Sequence, residues 1–260
     1  MSILLVDAGN ARLKWALDEA GAIGSTGQAD YAGDPKTAIA RMCATVDEAV
    51  EHVVIGNVAG REFGERLEQA LRRISRAGVW FAQSRHETAG VRCAYAQPQN
   101  LGVDRWAAIV AAVHRMRAHA PGRCVCVVDA GTALTIDVVD HEAQHLGGLI
   151  LPGLYLQRHA LLGAAADIVV SQQQADGSVL PPGVFARTTA QALAVSGPFA
   201  CAAAVDRCVA EISATRTIPW VVVTGGDAQR IAPWLATPFD ICPNLVFEGL
   251  AVLFEQRSLG

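Results

Sequence analysis

The chain has 260 residues, a net charge of −4, 52% hydrophobic residues and 18% charged residues. That composition supplies a sizeable core and excludes an intrinsically disordered chain, and the mild negative balance gives no basis for nonspecific binding to nucleic acid or to an anionic membrane. The length admits one large domain or two of ordinary size.

In chain order, residues 3–7, 12–18 and 22–28 read as three short strands, with Gly21 and Gly24 as turn signals. Ile3-Leu4-Leu5-Val6 leads straight into Asp7, so no signal peptide is expected. A helix is predicted from Pro35 to Ala49, since proline is tolerated at a first helical position. A short buried strand at Val53-Val54-Ile55 follows. Next comes a charged helix over 61–76, with Phe63, Leu67, Leu71 and Ile74 on one stripe and a solvated face of alternating charge. Val79-Trp80-Phe81 is a further strand, and Ser84 to Asn100 is irregular. A helix then opens at Leu101-Gly102-Val103-Asp104-Arg105, with Val103, Trp106, Val110 and Val113 on one face.

Pro121-Gly122 marks a joint, after which the order restarts with strands at 124–129, 133–139 and 144–151. A helix begins near Pro152, and residues 171–183 read as a loop. A long alanine-rich helix from about Arg187 is expected to kink at Gly197-Pro198. Strands at 219–223 and 239–242 and a helix over 245–256 complete the chain. The repeated series of element types divides it into halves 1–120 and 121–260. No segment is expected to reach transmembrane length, the most apolar one, Leu146 to Leu156, being broken by Gly147, Gly148, Pro152 and Gly153. The seven cysteines form no Cys-x-x-Cys. Cys124 and Cys126, two apart on a strand, read as small hydrophobes.

Two stretches carry the same signature. Val6-Asp7-Ala8-Gly9-Asn10 and Val128-Asp129-Ala130-Gly131-Thr132 each end an apolar strand in Asp-Ala-Gly and a small polar residue. A lone Asp-Gly is an ordinary turn. Two in matched context point to a duplicated phosphate-clasping fold, with Asp7 and Asp129 facing each other across a cleft between the halves. Asn10, Thr132 and the turn amides would donate to phosphate oxygens, and a divalent ion, Mg²⁺, would offset the carboxylates. Lys14, four residues past Asn10, reads equally as a phosphate contact or a solvated strand lysine.

Asp104 has two readings from the residues alone. It is an N-cap for the helix it precedes, or a general base for a substrate hydroxyl with Arg105 gripping an anionic group. Thr224-Gly225-Gly226-Asp227-Ala228 is either a plain strand-to-helix turn or a place where backbone lies against a flat ligand such as adenine. His141 and His145 have helical ligand spacing, but they sit in a predicted hairpin, so no metal site is read there.

Together these residues resemble the type III pantothenate kinases, within the superfamily of acetate and sugar kinases, Hsp70 and actin. The resemblance runs through Asp7-Ala8-Gly9-Asn10, Gly102-Val103-Asp104-Arg105, Asp129-Ala130-Gly131-Thr132-Ala133, Gly147-Gly148-Leu149-Ile150-Leu151-Pro152-Gly153 and Thr224-Gly225-Gly226. It implies an α/β fold of two ribonuclease H-like halves, the actin-like ATPase arrangement, and ATP-dependent phosphorylation of pantothenate on the way to coenzyme A.

On that pattern Asp7, Ala8, Gly9, Asn10, Ala11, Arg12, Leu13 and Lys14 hold ATP, Asp7 with its Mg²⁺, and Thr132 touches ATP. Asp104 is the base, while Tyr95, Gly102, Val103, Arg105 and Thr189 contact pantothenate, with Thr188 the adjacent alternative to Thr189. Asp129 is the ligand of a monovalent cation, K⁺ or NH₄⁺. A cytoplasmic homodimer is implied, with no nucleic-acid or membrane partner. The chain departs from the family pattern at Ala11, where a Thr or Ser is usual, and at Ala164-Ala165-Ala166-Asp167-Ile168. Two other readings are a kinase for another small hydroxyl compound and a non-enzymatic nucleotide-binding regulator of the same fold.

Overall fold

The computed structural model describes residues 2–31, 34–46, 50–164, 183–215 and 217–258. The chain falls into two compact units, Met1–Gly122 with Val139–Gly147 and Asn244–Gly260, and Arg123–Val138 with Gly148–Pro243.

The first unit is built on a five-stranded sheet. Its strands are β1 (Ser2–Ala8), β2 (Arg12–Glu19), β3 (Ala22–Asp30), β4 (His52–Asn57) and β5 (Val79–Phe81), in the order β3-β2-β1-β4-β5. β1, β2 and β3 are joined antiparallel, whereas β4 and β5 continue the sheet in parallel. Because side chains alternate across a strand, β1 serves two layers. Leu4, Val6 and Ala8 enter the cluster made with α1 (Pro35–Cys43) and α2 (Arg61–Leu71), through Ala38, Ile39, Met42, Phe63, Leu67 and Leu71. Ile3, Leu5 and Asp7 point the other way, and α3 (Val103–His119) and the late helix α7 (Leu245–Glu255) cover that face.

Those two helices approach to backbone contact, since a Cβ on Gly249 would overlap the Ala107 carbonyl. A two-pronged Arg115–Glu248 ion pair, at 2.5 and 2.6 Å, joins them at the rim. The solvated face expected on α2 is present, with the i,i+4 pairs Arg61–Glu65, Arg66–Glu62 and Arg72–Glu68. Exposed pairs of this kind add little stability.

A second five-stranded sheet, which belongs to the second unit apart from Val139 and residues 145–147, is made of β8 (Val125–Ala130), β9 (Ala133–Val139), β10 (His145–Pro152), β11 (Trp220–Thr224) and β12 (Phe239–Ile241), in the order β10-β9-β8-β11-β12. This repeats the third-second-first-fourth-fifth order of the first sheet, as a duplicated fold requires. One face, through Cys126, Val128, Ala130, Leu134, Ile136, Val221 and Val223, packs on α4 (Leu154–Ala164), α5 (Thr189–Thr215) and the short α6 (Ala228–Ile231). Burial pushes the Cys126 thiol up to about 12. Cys124 is equally buried, so both behave as core hydrophobes.

Several expectations change. α1 ends at Cys43, where the Thr45 hydroxyl bonds the Met42 carbonyl; residues 47–49 lie outside the described ones. α2 stops at Leu71 because Ile74 and Arg76 are recruited to bond Val50, through Val50 N–H to the Ile74 carbonyl and Arg76 N–H to the Val50 carbonyl. The irregular stretch contains a small hairpin, β6 (Glu87–Thr88) and β7 (Val91–Arg92), and a 3₁₀ turn at Pro98–Asn100. α5 runs unbroken through Gly197-Pro198 and is long and apolar enough to cross a membrane by length and composition, contrary to the reading that no segment reaches that length. Its residues Cys201, Val205 and Val209 nevertheless pack into the core of this unit, which accounts for its apolarity. The predicted loop at 171–183 lies outside the described residues apart from Gly183, and the departure at 164–168 does so apart from Ala164.

Candidate functional site

In the first unit the chemistry gathers where β1 ends. Asp7 is paired across the sheet with Lys14 on β2 and with Gly56 on β4, so the three form one row. Asp7 is 6% exposed, and its Oδ2 lies 3.8 Å from Lys14 Nζ. The row points toward α3 and α7, because a Cβ on Gly56 would meet Leu250 at 3.0 Å and Val103 at 3.7 Å. Desolvation, and next the negative charge of Asp7, hold the phenol of Tyr31 well above its ordinary value. Residues 9–11 form the turn that follows, closed by Gly9 N–H to the Arg12 carbonyl at 3.1 Å. Tyr31 N–H donates to the Ala11 carbonyl, and Val58 N–H to the Ala8 carbonyl. Asn10 and Ala11 are exposed. Arg12 is turned to Asp30 at 2.7 Å, and the Leu13 side chain is fully buried in the core. From this segment the turn backbone, Asn10 and Lys14 are therefore the groups that neither the core nor the Arg12–Asp30 pair takes up.

Asp104 stands near the same row. The N-cap of α3 is Gly102, which makes no side-chain cap bond, and Asp104 is the second residue inside the helix. Its Oδ1 accepts the Arg105 N–H at 2.8 Å, satisfying one of the amides a helix start leaves open. Gly102 is what gives this carboxylate its place, since a Cβ there would lie 2.5 Å from Asp104 Oδ1. Desolvation raises the Asp104 pKa, opposed by the Arg105 amide and charge and by the charge of Lys14. A helix N-terminus favours the carboxylate form, and here burial outweighs that preference.

Arg105 is 8% exposed and donates from Nη1 to the Tyr95 hydroxyl at 3.4 Å. Val103 is buried beside Gly56. Tyr95, Gly102, Val103, Asp104 and Arg105 are thus neighbours in one unit with Asp7 and Lys14, and burial, a carboxylate of raised pKa and a guanidinium meet there.

In the second unit Asp129 is the last but one residue of β8, in register with Thr224 of β11. The following turn is closed by Gly131 N–H to the Ala133 carbonyl at 3.0 Å, and Thr132 is exposed on it, its carbonyl accepting the Gly153 N–H at 3.1 Å. Gly225, at φ +94°, leaves room that a side chain would take from the Ala130 carbonyl and Asp129 Oδ1. The Gly-Gly turn therefore serves close approach to β8 and to the Asp129 carboxylate.

At the start of α5 the Thr188 hydroxyl accepts the Gln191 N–H at 3.2 Å, so Thr188 acts as the cap and Thr189, next to it, is exposed. The Thr189 hydroxyl is consequently the one not used by the cap.

Among the described residues no group of three or more His, Cys, Asp or Glu side chains could hold a metal ion. A divalent ion near Asp7 would take most of its oxygens from the nucleotide itself, as magnesium in nucleotide sites commonly does.

The sequence reading missed His145 as a member of this neighbourhood. Its ring stacks on Tyr95, with centroids 6.2 Å apart and planes at 15°. No local signal reveals it, because 50 residues separate the two in the chain.

The family model described as type III pantothenate kinase matches residues 3–211. The type III pantothenate kinase of Nitrosococcus oceani is 36% identical over 260 residues, covering 98% of this chain and 95% of that protein. Among solved structures, component A of (R)-2-hydroxyglutaryl-CoA dehydratase from Acidaminococcus fermentans superposes with a TM-score of 0.54 at 12% identity, covering 100% of both chains. A ROK family glucokinase from Streptomyces griseus, in complex with glucose and AMPPNP, gives 0.51 at 15% identity, again covering 100% of both. At these identities the two structures speak for the fold alone.

Proposed function

Because the chain belongs to the type III pantothenate kinase family, we propose that it transfers the γ-phosphoryl group of ATP to the hydroxyl of pantothenate. The product is 4′-phosphopantothenate, the first step toward coenzyme A. The observation that carries this reading is the row Asp7–Lys14 beside Asp104, a carboxylate of raised pKa at a helix start.

Asp104 takes the proton of the pantothenate hydroxyl as its oxygen attacks the γ-phosphorus and ADP leaves. A raised pKa strengthens a carboxylate as a base, and the Arg105 N–H bond fixes the direction in which it accepts. The buried Arg105 guanidinium, with Tyr95, Gly102 and Val103, binds the acceptor, whose carboxylate complements that charge. Asp7 and the segment Ala8–Lys14 hold the ATP phosphates, chiefly through the turn amides, Asn10 and Lys14, and Thr132 contacts ATP. Mg²⁺ bound with ATP supplies neutralisation of phosphate charge, which is most of what phosphoryl transfer asks of a protein site. K⁺ or NH₄⁺ is assigned to Asp129, where its charge would offset that carboxylate.

Thr189 is assigned to pantothenate, supported by its position beside the Thr188 cap. We take residues 1–120 and 121–260 as the duplicated copies, the protein as cytoplasmic, and its assembly as a homodimer. Exposed Leu149, Ile150, Tyr155 and Leu156 on β10 and α4 support the last.

The test is ADP release by the purified protein with ATP, Mg²⁺, K⁺ and a panel of small hydroxyl compounds. Release with pantothenate is expected. Release only with another compound would replace the acceptor, and ATP binding without release for any acceptor would replace the enzyme by a binding protein.

A further inference from the structure

We propose that His145 is a positioning residue for the acceptor site, acting through Tyr95 and Arg105. The proposal rests on the pantothenate kinase reading above.

The tip of the β9–β10 hairpin is tied to the segment that carries Tyr95. Arg92 N–H donates to the Ala143 carbonyl at 3.0 Å, and Arg92 Nε to Gln144 Oε1 at 3.0 Å. The tip is itself fixed, because Asp140 Oδ1 accepts the amides of Glu142 and Gln144, both at 2.9 Å. These ties deliver His145, 1% exposed, beneath the Tyr95 ring. The centroid separation lies inside the range of favourable ring pairs, and the near-parallel planes make it a stack.

The Ala94 N–H also donates to His145 Nδ1 at 3.4 Å, so one imidazole serves the ring of Tyr95 and the backbone just before it. Accepting at Nδ1 requires the proton on Nε2. From Tyr95 the chain of contact continues through its hydroxyl to Arg105 Nη1 at 3.4 Å. Both hydrogen bonds are long, so the stack does most of the placing. A buried imidazole that touches no reacting atom thereby sets where the substrate-facing phenol, and the guanidinium behind it, come to rest.

The experiment compares His145→Ala, His145→Phe and His145→Asn with the wild type, measuring KM for pantothenate, KM for ATP and kcat. Wild-type ADP release with pantothenate is measured first; its failure rejects the kinase reading, independently of the variants. His145→Ala is expected to raise the pantothenate KM about tenfold, leaving kcat and the ATP KM within twofold. His145→Phe restores the stack and should recover most of the loss, whereas His145→Asn, which keeps only the acceptor, should recover less.

A double-mutant cycle with Tyr95→Ala completes the test, because residues acting through one contact are non-additive. The expected result is that His145→Ala adds less than threefold once Tyr95 is gone. Equal effects in both backgrounds, or a loss spread over kcat and both KM values, would overturn the proposal. If His145→Ala does not fold, the comparison of Phe with Asn and the Tyr95 cycle built on His145→Phe decide the same question: equal pantothenate KM values for Phe and Asn would refute it.

Discussion

Gly102→Ala separates the placement of the Asp104 carboxylate from the stability of the helix that carries it. Alanine is compatible with the backbone at this position, where φ is −53° and ψ 134°. Two small effects on stability oppose each other. Alanine is a poorer N-cap than glycine by roughly 0.5–1 kcal/mol, and it removes unfolded-state freedom worth about 0.4–1 kcal/mol. These two effects nearly cancel, so any change in stability comes from the carboxylate itself.

The new Cβ, however, would sit 2.5 Å from Asp104 Oδ1, inside van der Waals contact, while its next neighbour, Val58 Cγ1, is at 3.6 Å. The carboxylate, as the far end of a flexible side chain, is the group that yields. Rotating away, it gives up the 2.8 Å bond from the Arg105 N–H. A hydrogen bond to a charged group contributes about 1.5–3 kcal/mol. If that sum is what orients the base, turnover falls roughly 10- to 150-fold at about 1.4 kcal/mol per decade. Coupled ADP-release kinetics and a thermal melt on the same preparation measure both halves. Turnover within twofold of wild type would mean that the direction of the Asp104 carboxylate does not matter, and the assigned base would be wrong.

Asp104→Asn keeps an acceptor for the Arg105 amide but cannot take a proton, so turnover should drop by roughly 10²–10⁴. Since the folded-state pKa of Asp104 is raised, its favourable contribution is present at low pH and lost as pH rises through that value. At neutral pH the variant should melt no lower than wild type, and a clear fall in Tm would contradict the burial penalty assigned to this carboxylate. In the wild type, kcat/KM should decline on the acid side at a pH above the ordinary aspartate range; a decline at the ordinary value would count against Asp104. Thr188→Ala removes the α5 cap and should cost about 1 kcal/mol in denaturant unfolding, whereas Thr189→Ala should spare stability and raise the pantothenate KM. The opposite pattern would exchange their roles. Gly225→Ala forces a side chain onto the Ala130 carbonyl at a positive φ and should destabilise by roughly 1–3 kcal/mol; an unchanged unfolding midpoint would show that the turn can relax.

Features set by neighbours in the chain are legible in the amino-acid order itself. The alternation of β1, the Asp-Ala-Gly turns and the stripe on α2 all obey periods of two or 3.6 residues. The equivalent order of the two sheets follows from the repeat. What the sequence hides depends on distant partners. The end of α2 is decided by Val50, and the side of the sheet on which Asp7 lies is covered by a helix more than 200 residues later in the chain. Asp104 reads as a possible cap because it stands at a helix start, yet Gly102 occupies that position and serves by lacking a side chain. His145 looks inert in the sequence because its importance lies in a ring it meets only in space.

The contact between Gly249 and Ala107 also bears on when the first unit can become complete. Its sheet and α3 leave the ribosome early, but α7, which covers Ile3, Leu5 and the start of α3, is made only after the whole second unit. Until then the apolar faces of β1 and of α3 around Ala107 lack that cover. The nascent protein is thus committed to an all-or-none ending, in which the last helix closes the layer behind Asp7 and Asp104. Destabilising changes in α7 should act on the site as strongly as changes beside it.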